Sequence, residues 1–275
     1  MSAEVARVAI VTGAAQGIGK SIALRLAEDG LDVVVNDIPS KSSELDSVKA
    51  AVEAKGRKSL AVVGDISSEA DVIALVEKTV SALGGLDVMV ANAGILFPTP
   101  LVDLPVSEWD RIFNINARGT FLCYRHAAKQ MIKQGRGGRI IGAASSASKQ
   151  GIANLGHYSA SKFAVRGLTQ SAGKEIYVKI LSDNLKLYSA LEWGAHKITV
   201  NSYAPSTVET PMVDNFVSSV GAPRDAFYAG QSQLSAVGYH GQPEYIADLV
   251  SFLASKGSHH ITGQTINIDG GKFFD

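Results

Sequence analysis

Short runs rich in β-branched residues alternate along the chain with amphipathic stretches. "VAIVT" at 8–12, "DVVVND" at 32–37, "SLAVVGD" at 59–65, "LDVMVAN" at 86–92 and "GRIIGAAS" at 138–145 are nearly continuous in small and apolar residues. "HKITVNSY" at 196–203 and "QTINID" at 264–269 extend the series. Between them apolar positions recur at three- and four-residue spacing, as with Val72, Leu75, Val76 and Val80 in "SSEADVIALVEKTVSALGG", which is the period of a helix with one buried face. Strands apolar on both faces need cover on both faces, and strands separated by helices run parallel. The pattern predicts an α/β fold, a doubly wound parallel sheet between helical layers. There is no internal repeat, low-complexity tract or Pro/Ser-rich linker, so one domain is expected over 1–275. Residues 206–242, rich in small residues and without a strand pattern, read as a mobile lobe that shapes a substrate pocket.

Charge narrows the partners. Lys plus Arg and Asp plus Glu each total 26, so no excess charge draws nucleic acid or an anionic membrane. The single cysteine, Cys123, lies in the apolar run "TFLCY" and predicts a buried thiol in a reducing compartment. No basic-then-apolar leader occurs in "MSAEVARVAIVTG" and no stretch approaches the ~18 apolar residues of a membrane span, so a soluble, cytoplasmic protein is expected. His259 and His260 have no neighbours that complete a metal site, and none is assigned.

The first strand runs into "TGAAQGIG", which places Gly13, Gly17 and Gly19 at the entry to a helix beginning near Ile18. Glycines let backbone amides approach a pyrophosphate, and the helix N-terminus adds partial positive charge. Asp37, closing the second strand 18 residues after Gly19, suits the two ribose hydroxyls of NAD and repels the 2′-phosphate of NADP. Nearby Lys41 keeps NADP as the lesser alternative. Asp65 and Ile66, after the third strand, are placed for an adenine edge and face. Asn92, Ala93 and Gly94 close the fourth strand where the middle of a dinucleotide passes.

"TGAAQGIG", "NAG" at 92–94, "NINARGTF" at 114–121, "AAS" at 143–145, "YSASK" at 158–162 and "GQTINIDGG" at 263–271 occur in the order and spacing of the classical short-chain dehydrogenase/reductase family, which the chain resembles over nearly its whole length. "SKFAVRGLTQS" with "GGRIIGAAS" looks most like acetoin (diacetyl) reductases and 2,3-butanediol dehydrogenases. The resemblance implies a Rossmann-type fold, hydride transfer between NAD(H) and a small secondary alcohol or ketone, and a homotetramer or dimer. Polyol, sugar and steroid substrates, and a catalytically impaired cofactor-binding protein, stand as alternatives.

Reduction of a ketone builds negative charge on its oxygen and needs a proton donor there. Tyr158 is the expected donor. Lys162, four residues on and on the same helix face, is expected to bring the phenol toward neutrality together with the charge of an oxidised nicotinamide, and to hold the nicotinamide ribose. The resemblance assigns Ser145, with Ser146 as rival, to the substrate oxygen, and Asn116, with Asn114 as rival, to a water-linked proton relay. His157 adjoins Tyr158 and faces elsewhere, so surface or loop packing is expected of it.

Two departures from the family pattern stand out. In "APSTVETPM" Ser206 replaces a glycine, which costs about 1 kcal/mol or more if φ there is positive; Val208 and Thr210 keep their expected roles toward the nicotinamide carboxamide and a phosphate. Residues 173–189, "GKEIYVKILSDNLKLYS", lengthen the connection before the sixth strand, and their removal joins Ala172 to Ala190 in "LTQSAALEWGAHKITVN". Two readings remain. One is an in-frame retained intron, since Gly-Lys is encodable as GGT-AAG. The other is a genuine extension with Ile176, Ile180 and Leu187 packed on a neighbour.

Overall fold

A computed structural model of the chain describes residues 6–174, 176–181, 186–191 and 196–274. Its strands are β1 (Val8–Thr12), β2 (Asp32–Asp37), β3 (Ser59–Val63), β4 (Val88–Ala91), β5 (Gly138–Ala143), β6 (Ile176–Leu181), β7 (Lys186–Leu191), β8 (Ile198–Pro205) and β9 (Thr265–Ile268). The helices are α1 (Gly17–Glu28), α2 (Ser42–Glu53), α3 (Glu69–Leu83), α4 (Val106–Phe113), α5 (Thr120–Gln134), α6 (Gly156–Lys174), α7 (Pro211–Ser219), α8 (Arg224–Gln233) and α9 (Pro243–Ala254).

Seven strands form one parallel sheet in the order β3-β2-β1-β4-β5-β8-β9. The doubly wound expectation holds. Alternation along each strand divides the core. Ala9, Val11, Val33, Val35, Val88 and Val90 face Ile22 and Leu26 of α1, Leu45 and Val48 of α2, and Ile246 and Val250 of α9. Ile10, Val34 and Met89 point the other way, onto Leu75 and Val76 of α3 and Leu122, Ala127 and Met131 of α5. Cys123 belongs to this second layer, fully buried, and burial pushes its thiol up to about 12.

Local signals set the helix ends. Ser68 caps α3 by accepting from the Asp71 amide at 3.3 Å, and α3 stops at Gly84, whose φ of 86° is a glycine conformation. Among the described residues no helix is long and apolar enough to cross a membrane.

The strand order reverses beside β1: the chain winds outward to β3, then crosses back to β4. This switch point opens a crevice at the strands' carboxyl ends, with the loops after β1 and β4 side by side.

The extra segment is an antiparallel β6–β7 pair outside the main sheet, with Ile176 opposite Leu191 and Ile180 opposite Leu187. The packing expected of Ile176, Ile180 and Leu187 lies outside the described residues. Where α6 ends, a Cβ on Gly173 would stand 2.6 Å from the Gly263 Cα, so a glycine at 173 matches the packing of this longer chain. Among the described residues Asn154 and Lys197 are the non-glycines with positive φ. Ser206 is therefore free of the strain feared for it, and its hydroxyl donates to the Asp269 carbonyl at 3.3 Å.

Candidate active site

Gly13 and Gly17 adopt φ of 63° and 54°, the left-handed region that favours glycine. A Cβ on Gly13 would lie 2.8 Å from the Ala93 Cα, and one on Gly19 would overlap the Gly13 carbonyl oxygen. The loop thus lies flat against the end of β4, as a cradle for a pyrophosphate requires. Ile18 lies in the first turn of α1, partly buried against the first core layer. Asp37 closes β2 with one oxygen accepting from the Ala15 amide at 3.0 Å and the other from the Ile38 amide at 2.9 Å. The carboxylate is fixed at the loop's edge, and Lys41 is paired with Glu44 at 2.8 Å.

Two residues expected to meet the dinucleotide are turned to the protein. Asn92 donates to the Thr12 and Gly13 carbonyls at 2.9 and 3.1 Å and accepts from the Tyr203 hydroxyl at 2.7 Å, so its amide braces the glycine turn. Ile66 is 5% exposed and fills the space over Gly119. Asp65 accepts from the Ser67 amide at 2.8 Å and shapes its own turn.

Thr12 is a site residue that the motif reading missed. Its hydroxyl accepts from both the Asn92 and Ala93 amides at 3.1 Å, tying the first loop to the β4 end. Its place directly before Gly13 was the available signal.

Between α4 and α5 the chain widens into a π-helical turn, Asn114–Gly119, a rarity concentrated at functional sites. The turn buries Asn116 completely and leaves Asn114 exposed. Asn116 accepts from the Ile95 amide at 2.8 Å and donates to the Ile95 carbonyl and Ser161 hydroxyl at 3.0 and 3.1 Å. Its carbonyl accepts from Thr120 at 2.7 Å. These three side-chain bonds fasten the Ile95 loop and α6 to the π-helical turn.

Ser145 lies two residues beyond β5 and caps the turn Ser146–Ser148, accepting from the Ala147 amide at 3.1 Å. Its hydroxyl acts on the Tyr158 phenol, pulling it down, and no such influence comes from Ser146. Lys162 is 5% exposed, donates to the Ala143 carbonyl at 2.8 Å, and holds its nitrogen 5.6 Å from the Tyr158 ring centre. A Cβ on Gly94 would stand 3.1 Å from the Asn116 amide oxygen and 3.5 Å from the Lys162 nitrogen, so glycine there keeps the passage open.

Burial raises the Tyr158 phenol above its ordinary value in the chain by itself, and Ser145 pulls it back in part. Burial also lowers the Lys162 ammonium, to about 8. Desolvation outweighs a charge whose hydrogen bond goes to Ala143.

His157 is fully buried rather than at the surface. It bonds the Phe97 carbonyl at 3.0 Å, lies 4.6 Å from the Phe97 ring, and is lowered by burial, so it docks the 95–98 loop in its neutral form.

Val208 is buried and forms a β-bridge with Gly241. The Thr210 hydroxyl caps α7 at the Val213 amide, 3.4 Å away. A Cβ added to Gly17 would touch the Thr210 methyl at 3.4 Å, so lobe and glycine loop face each other.

The family model described as short chain dehydrogenase matches residues 7–182. The chain belongs to this family. A second model, described as enoyl-(acyl carrier protein) reductase, matches residues 176–272. A short-chain dehydrogenase/reductase of Armillaria gallica is 49% identical over 98% of this chain and 97% of that protein. The L-2,3-butanediol dehydrogenase of Corynebacterium glutamicum is 37% identical over 98% of this chain and 99% of that protein. A 3-oxoacyl-[acyl-carrier-protein] reductase of Synechocystis is 35% identical over 98% of both. Among solved structures, acetoin dehydrogenase from Salmonella typhimurium superposes with a TM-score of 0.80 at 32% identity, covering 97% of this chain and 95% of that one.

Proposed function

We propose that this family member is an NAD-dependent ketone reductase and alcohol dehydrogenase acting on small secondary alcohols and vicinal diketones of the acetoin, diacetyl and butanediol class. The observation that carries the reading is the buried Lys162, tied to the Ala143 carbonyl at 2.8 Å at the end of β5 and 5.6 Å from the Tyr158 ring centre, beside the glycine cradle. When bound, the nicotinamide supplies or accepts the hydride. Gly13, Gly17 and Gly19 leave backbone room for its pyrophosphate, Asp37 accepts from the adenosine ribose, and Val208 and Thr210 close over the nicotinamide end.

Ser145 and Tyr158 point one hydroxyl pair at the substrate oxygen. A phenol raised by burial is protonated at neutral pH, which is the form that donates to the oxygen as a ketone is reduced. Lys162 below it stabilises the phenolate left behind, and the Asn116 carbonyl offers a water a route from Lys162 to solvent. The reading includes a single catalytic domain, a homo-oligomer and a cytoplasmic setting.

The likeness to a butanediol dehydrogenase and an acetoin dehydrogenase supports the substrate class. The likeness to a 3-oxoacyl reductase supports a second reading, a 3-oxoacyl thioester substrate. Absorbance at the reduced-nicotinamide band decides between them, with diacetyl, acetoin, a C4 3-oxoacyl thioester and cyclic diketones offered with NADH or NADPH. Diacetyl with NADH is expected to be fastest. Tyr158→Phe is expected to keep NADH binding and lower turnover by roughly 100-fold or more. Unchanged turnover in that variant overturns the role of Tyr158, and preference for NADPH overturns that of Asp37.

A further inference from the structure

Glu209 stands between Val208 and Thr210, yet its side chain serves neither. One carboxylate oxygen accepts from the Arg224 guanidinium at the start of α8. The other accepts from His240 at 3.1 Å and Gln242 at 3.0 Å, on the segment by which the lobe returns to α9. The main chain repeats the link: the Glu209 amide donates to the Gly241 carbonyl and the Gly241 amide to the Thr207 carbonyl, each at 3.0 Å. Arg224 also donates to Asp214 of α7 at 2.9 Å and lies 4.9 Å over the Tyr228 ring. The Tyr228 hydroxyl donates to the same Asp214 oxygen at 3.1 Å, and His240 packs 4.8 Å from the Tyr228 ring centre. One carboxylate therefore gathers α7, α8 and the return segment onto the three-residue stretch Val208–Thr210, which faces the glycine loop through the Thr210 methyl.

We propose that Glu209 is a positioning residue that couples closure of the 206–242 lobe to the hold of Val208 and Thr210 on the nicotinamide end of the cofactor. The inference rests on the cofactor reading above. Charge-assisted hydrogen bonds are stronger and more directional than neutral ones, so a carboxylate gripped on both oxygens fixes the backbone on either side of it. The same three donors hold the Glu209 carboxyl down at about 2, so the latch stays ionised throughout the working pH range. A lobe held this way presents a formed site to the cofactor instead of one that must be ordered on binding, which lowers the dissociation constant without touching the reacting atoms.

The test compares NADH dissociation constants of folded protein, by nucleotide fluorescence, with steady-state KM and kcat. Glu209→Gln and Arg224→Met cut the latch from its two sides. Each is expected to raise the NADH dissociation constant and KM about tenfold while kcat at saturating NADH falls less than about threefold. The double variant is expected to add less than about twofold, because both changes break one device. Arg57→Gln, which breaks the Arg57–Asp32 pair at the opposite end of the sheet, is expected to leave the constant unchanged. Melting temperatures that fall in the two latch variants with NADH binding within twofold of the parent reduce Glu209 to a structural role and overturn the inference. A parent chain that binds neither NADH nor NADPH overturns the cofactor reading itself.

Discussion

Lys162 is expected to be costly to the fold it serves. Its ammonium is 5% exposed and lowered to about 8 from an ordinary 10.5, with burial as the cause. At about 1.4 kcal/mol per pH unit the gap corresponds to about 3 kcal/mol against folding at neutral pH. Lys162→Met keeps the length and packing of the side chain and removes the charge. It also strips the Ala143 carbonyl of its 2.8 Å donor, which costs about 1–2 kcal/mol. The variant should therefore be more stable than the parent by about 1–2 kcal/mol at pH 7, a rise in melting temperature of about 2–4 °C, while losing most turnover.

The pH dependence makes this test specific. Between about pH 8 and 10.5 the unfolded parent holds a proton on Lys162 that the folded parent has released, so parental stability rises with pH across that window. The variant lacks this rise. Its advantage is expected to shrink by about 2 kcal/mol between pH 7 and 9.5. Urea unfolding of both proteins at the two pH values, followed by circular dichroism at one protein concentration, measures it. A variant less stable than the parent at pH 7, with a difference that stays constant to pH 9.5, refutes the reasoning.

Three further outcomes follow from the same geometry. Gly19→Ala sets a methyl against the Gly13 carbonyl, and NADH titration should show binding weakened by at least about 100-fold with a melting temperature several degrees lower. Asp37→Ala removes both the ribose acceptor and the bond to the Ala15 amide; the kcat/KM ratio of NADH to NADPH should fall about tenfold or more, and an unmoved ratio places the discrimination elsewhere. Excision of 173–189 joins Ala172 to Ala190 directly at the end of the helix carrying Tyr158 and Lys162. Excision sets the Ala190 methyl where Gly173 approaches Gly263, so the shortened chain should melt several degrees below the long one, whereas a shortened chain as stable and as active as the parent marks the β6–β7 pair as dispensable.

Periodicity and turn chemistry are local properties, and they carried the architecture. Seven strands, the helices between them and the glycine turn at 13–19 follow from which residues are apolar and which tolerate positive φ. Short motifs likewise marked Ser145, Tyr158, Lys162 and Asn116, because a helix or strand end delivers those side chains at a set spacing. Folding decided what depends on distant segments. Asn116 and Ser161 meet across 45 residues, Asn92 and Tyr203 across 111, and these encounters make each amide a brace between distant segments. The depression of Lys162 and the elevation of Tyr158 are consequences of how much water the surrounding layers exclude, a quantity that no stretch of chain carries by itself. The grip on Glu209 is of the same kind: its donors lie 15, 31 and 33 residues away, and only the folded chain brings them to one carboxylate.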